Sequence, residues 1–127
     1  MTTTTIHNRF DPAKNVDSIA FRQDRVLQSA ELNELQAGFA HRLRGLGDAL
    51  FKNGDVLRGA RIIVNPTNGD TVAEDGAIWL AGALRGVPPA SLSVPVVGVV
   101  HVGVYLQSRL VTELEDPTLL NPAAGTP

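Results

Sequence analysis

An α+β fold follows from three features of the sequence. Apolar residues recur at helical spacing between Leu32 and Leu50, short β-branched runs alternate with turn residues after Gly54, and the first 28 residues keep neither period. The expected order is an extended N-terminal arm (1–28), one long amphipathic helix (29–53), a small antiparallel β-sheet or sandwich (54–111) and a linker-like tail (112–127). A chain of 127 residues suits one domain. With 43% hydrophobic residues, it should bury roughly two-thirds of its unfolded surface.

The opening residues Met1–Thr5 form a threonine run, read either as a frayed end or as an edge strand for a neighbouring subunit. Between Asn8 and Gln28, Pro12 interrupts any helix. Phe10, Val16, Ile19, Phe21, Val26 and Leu27 are irregularly spaced. They read as anchors of a segment lying on another surface, either the chain's own core or a partner.

Ser29 is the expected N-cap, because its hydroxyl can accept from a backbone N–H of the first turn. Glu31 and Glu34 suit the positive end of the helix dipole, and Arg42 and Arg44 the negative end. Leu32, Leu35, Phe39, Leu43, Leu46 and Leu50 advance in steps of 3, 4, 4, 3 and 4, close to the ~3.6-residue period of a straight amphipathic helix. The seam reads equally as core packing or as subunit contact. Asn53-Gly54 is the expected stop. Gly38, Gly45 and Gly47 each cost about 1 kcal/mol against Ala inside a helix, which points to close backbone approach, either to the chain's own sheet or to a second copy.

Beyond Gly54, VLRGARIIV reads as one strand, NPTNGD as a turn with strong Asn-Gly chemistry, and TVAED and AIWLAG as the next strands. Arg85–Pro89 reads as a turn, followed by strands in SLSVPVVG and VVHVGVYLQSRL. TELEDPTLLNPAAGTP, rich in Pro, Gly and Ala, reads as a loop leaving the domain.

Composition excludes several functions. The formal charge is −2 and the basic residues are scattered, whereas a nucleic-acid surface needs a basic stripe. Cysteine is absent, which rules out disulfides and thiolate metal sites. No apolar run is long enough for a membrane helix, and the first residues lack a signal-peptide pattern. His7, His41 and His101 are not at metal-ligand spacing. The oxygens of Asn68–Asp70 and Glu74–Gly76 are too sparse for a calcium loop. No G-x-S-x-G elbow or phosphate-binding loop occurs, and nothing selects a carboxylate pair. No catalytic residue, cofactor or metal is expected, so a non-enzymatic role is. The other class considered is a β-sandwich module recognising a cell-surface glycan through Trp79, Tyr105 and acidic loops, although Trp79 between Ile78 and Leu80 suits a core or interface position better.

The arm motif Phe10-Asp11-Pro12 and the helix start formed by Leu27, Gln28, Glu31, Leu32, Asn33, Glu34, Leu35 and Gln36 resemble the N-terminal domain of bacteriophage tail-fibre and baseplate virion proteins. Gly54-Asp55 and Glu115-Asp116-Pro117 add to that resemblance, which spans Ile6 to Pro127. It implies a virion structural protein, assembled in the host cytoplasm, that anchors a fibre to the baseplate or tail tip. It also implies a homotrimer and contacts with other tail proteins, without nucleic acid or membrane insertion. The implied arm interface is Ile6, Phe10, Asp11, Pro12, Ile19 and Phe21. Members of that family usually continue into shaft and receptor-contacting regions.

Overall fold

The computed structural model describes residues 6–119; the threonine run and the end of the tail lie outside the described residues. Among the described residues there are one α-helix, α1 (Ser29–Leu50), and six strands: β1 (Val56–Gly59), β2 (Ile62–Val64), β3 (Asp70–Ala73), β4 (Gly76–Leu80), β5 (Ala83–Val87) and β6 (Ala90–Ser93). They form two antiparallel three-stranded sheets, ordered β1-β4-β5 and β2-β3-β6. The α+β class is therefore as expected.

The N-cap lies one residue before the expected Ser29, which is instead the first helical residue. Gln28 is the N-cap, and its backbone N–H donates to the Glu31 carboxylate (3.0 Å). A carboxylate at this end satisfies an orphan donor and complements the dipole. The helix stops at Leu50 rather than near Asn53, because Phe51 turns extended and stacks beside Trp79 with ring centroids 5.8 Å apart. Arg42 and Arg44 lie before the last turn, which carries no basic residue, so the expected dipole role does not apply to them.

The run VLRGARIIV is two strands, not one. Gly59 and Ala60 both take left-handed φ (55° and 54°), and this corner moves the chain from the first sheet to the second. A Cβ on Gly59 would strike the Asp75 carbonyl, so glycine is required there. The turn at residues 65–69 forms as expected, closed by Asn65 N–H to Asp70 C=O (2.8 Å). Arg85–Pro89 is not a turn, since Arg85 to Val87 belong to β5. The reversal comes earlier, at Ala81-Gly82, where both residues have positive φ and the two-residue loop has the twist that a tight hairpin needs. No strand follows β6 among the described residues, and the valine-rich run after Pro95 is irregular. A strand is stable only when its backbone pairs with another, and no described strand is aligned with this one.

The core is small and centres on β4, where Gly76, Ala77, Ile78 and Trp79 are buried, joined by Val87, Ala30 and Thr71. Trp79 joins sheet to helix. Its indole N–H donates to Asp48 (2.8 Å), and its ring fills the space where a Gly47 side chain would stand. The chain exposes 10580 Å², well above the ~6,500 Å² expected of a compact monomer of this mass. The expected two-thirds burial is not reached, and much apolar surface remains uncovered.

The helical glycines separate by role. Gly47→Ala is expected to destabilise the fold by about 1–3 kcal/mol, since the Trp79 ring would have to move from a packed, hydrogen-bonded position. A Cβ on Gly45 would meet nothing within 4 Å, so Gly45→Ala should stabilise by up to about 1 kcal/mol. Chemical denaturation followed by Trp79 fluorescence measures both.

Candidate functional site

Three sides of α1 meet three different environments. The first carries Gly47 and Asp48 against Trp79, with Arg44 donating to the Ala81 carbonyl (3.2 Å) and lying over Gly82. This side fixes the helix on the first sheet.

The second side holds the N-terminal segment. Asp11 accepts from the Ala13 N–H (3.0 Å) and caps a short 3-10 turn, Pro12–Lys14, in which Pro12 holds the first position. Phe10 packs over Gly38 and lies 5.6 Å from the His41 ring. The Asn33 amide donates to the His7 carbonyl (2.7 Å), and Arg9 pairs with Glu34. Arg42 grips the backbone, donating to the carbonyls of Asp17 (2.8 Å) and Val16 (3.2 Å) and to the Asp17 carboxylate (3.1 Å). Of the expected arm anchors, Phe10 and Ile19 are half-buried, while Ile6 and Phe21 are exposed.

The third side is open. Leu32, Leu35, Phe39, Leu43, Leu46 and Leu50 are 43–69% exposed; Leu35, Phe39 and Leu46 border the N-terminal segment, which leaves the seam mostly uncovered. Six large apolar side chains in one stripe leave on the order of 600 Å² of contiguous surface, as much as the largest patch on typical monomers.

An open groove of about 440 Å³ runs between the segment and the helix, lined by Phe10, Val16, Ile19, Leu35 and Phe39 among others. Its acids are already engaged: Asp11 by the 3-10 turn, Asp17 by Arg42 and Glu34 by Arg9. The groove holds Ser18 but no histidine. His41 lines a neighbouring hollow that has no hydroxyl nucleophile. Among the described residues no group of three His, Asp or Glu could hold a metal ion, and no helix is long and apolar enough to cross a membrane. Trp79 is buried, at 7% exposure, and cannot serve as a flat platform for a sugar; Tyr105 is exposed.

The sequence matches the family described as a domain of unknown function (DUF4815) over residues 5–127. The chain belongs to the DUF4815 family. No curated protein and no solved structure gives a significant match. The DUF4815 match covers both the N-terminal segment and the open helix face.

The grip of Arg42 was not legible in the sequence, because backbone carbonyls leave no residue-type signal. The Asn33 and Arg9 contacts are equally silent. Near the other end, the Thr118 hydroxyl and backbone N–H both donate to Asp116 and hold its carboxyl below the usual carboxylate range. At the end of the β2–β3 ladder, the Glu74 carboxylate accepts from Arg61 and raises the Arg61 pKa.

Arg42→Ala should speed amide exchange and proteolysis around residues 14–19 several-fold, while changing global stability by less than about 1 kcal/mol, as expected for an exposed ion pair. The Asp116 turn should persist above the ordinary aspartate value of ~3.9 and loosen as pH falls through the lowered value. An NMR titration of the Thr118 amide reads that midpoint.

Proposed function

We propose that this DUF4815 chain is a non-enzymatic structural protein of a phage virion, the part that anchors a tail fibre to the baseplate or tail tip. The resemblance in the Phe10-Asp11-Pro12 and Leu27–Gln36 motifs names the setting. The observation that carries the reading is the uncovered helix seam. A soluble monomer has no reason to align six large apolar side chains toward water, whereas an assembly part does.

In this reading three copies pack their α1 helices along the Leu32–Leu50 stripe. The stripe holds no charged residue, so parallel copies oppose no like charges within it. The N-terminal segment serves as an extended docking arm toward other tail proteins. Ile6, Val16, Phe21, Val26 and Leu27 are the exposed apolar side chains it has to offer, while Phe10 and Ile19 keep its base on the helix. Ordering such an arm costs about 1–2 kcal/mol per residue, so repetition around the assembly must supply the affinity. The protein would be assembled in the host cytoplasm and reside in the virion.

Light scattering is expected to give a mass of three chains at high concentration, and Leu43→Asp with Leu46→Asp to lower that mass with Trp79 fluorescence unchanged. Deleting residues 1–28 should remove binding to tail proteins. A chain that stays at 13.5 kDa at high concentration, with a protease-resistant N-terminus, would refute the reading.

A further inference from the structure

The stretch that follows β6 is unusual in three ways. From Pro95 to Val111 its backbone makes no hydrogen bond to any described residue. From Ser91 to Ser108 it carries no Asp, Glu, Lys or Arg. It also has strong β character: Val100, Val102, Val104 and Leu106 alternate with Val99, His101, Gly103 and Tyr105, the period of a strand.

Most of its side chains are exposed as well, with Val102 half-buried. Val97, Val99 and Tyr105 are 85–86% exposed. With Val96, Val104 and Leu106 they leave on the order of 700 Å² uncovered, near the ~800 Å² that each partner contributes to a stable interface. An apolar, uncharged strand sequence of this length is an aggregation hazard unless something pairs with it.

The same chain carries a matching open edge. The sheet edges are β1 and β5 in one sheet and β2 and β6 in the other. β1 contains Arg58, β5 contains Arg85 and β6 contains two serines, whereas β2 is Ile62, Ile63 and Val64. All three β2 residues are exposed. The bonds of Asn65 to Asp70 and of Glu74 to Arg61 set the ladder phase. Ile62 and Val64 then occupy the non-bonded positions, so their N–H and C=O groups point away from β3. Charge and polarity within the strand protect the other edges; the three residues of β2 carry neither.

We propose that residues 99–106 of one copy add as a fourth strand to the β2 edge of a second copy. The segment leaves from β6, at the opposite side of the same sheet from β2. Each copy therefore gives a strand at one side and receives one at the other. Such a contact is head-to-tail, and it closes into a ring when the rotation between copies permits. Main-chain hydrogen bonds supply the affinity and the alternating valines the register. This contact is distinct from the helix stripe and does not rest on the phage reading.

Hydrogen exchange on the full chain tests it. In wild type, the Ile62 and Val64 amides should gain at least tenfold protection as concentration rises. In isotope-labelled Val102→Pro that gain should vanish, because proline removes a donor from the added strand. It should return when excess unlabelled wild-type chain is mixed in. The β4 amides give an internal check that the variant is folded, and Gly103→Pro breaks the alternate ladder phase, so that one of the two variants removes a donor facing β2. Free exchange of Ile62 and Val64 in concentrated wild type overturns the proposal. So does protection that survives both proline variants, and so does protection that fails to return on mixing. Association through the helix stripe alone changes none of these readouts.

Discussion

Trp79 is where the helix and the first sheet become one structure. Its ring fits only because residue 47 has no side chain, and its N–H is satisfied only because Asp48 is the next residue. Phe51 then leaves the helix to lie against the same ring. One tryptophan thus sets the angle of α1, the point where it ends and the face it turns inward. A buried indole whose donor lacked a partner would cost about 1–3 kcal/mol, so the aspartate matters as much as the ring.

The orientation has a consequence for the opposite side. The faces of α1 that meet the chain itself carry glycine, asparagine, arginine and glutamate, and the contacts there are hydrogen bonds and close backbone approach. The leucines face outward. In an ordinary domain the arrangement is reversed, with the apolar stripe inward. Here the chain uses its polar chemistry for internal geometry and leaves this hydrophobic stripe exposed.

The helix and its stripe were legible because a 3.6-residue period is a property of residue order alone. The Asn-Gly turn was legible for the same reason: its backbone needs those residue types. What escaped were features settled by partners distant in the chain. Gly59-Ala60 is an ordinary Gly-Ala pair in sequence, and only the nearby Asp75 carbonyl makes it a corner. Arg85 sits close to Pro88 and Pro89 and has the surroundings of a turn, yet Ala81-Gly82 has already reversed the chain. Alternation in VVHVGVYLQSRL spoke for a strand but not for whether the same chain holds its neighbour. At the candidate interface, the seam residues could be named from spacing, while their exposure and the grip of Arg42 on backbone carbonyls could not.

The order of these parts along the chain matters during synthesis. Every sheet pairing closes between Val56 and Ser93, and α1 precedes them all. Translation proceeds from the N-terminus at about 5–20 residues per second, and units fold as they emerge. The body can therefore reach its final pairing before the valine-rich run is complete. Had that run come first, its β-prone backbone would compete with β3 and β6 for the same partners while the sheets were forming. Coming after them, it meets sheets whose internal pairings are already made.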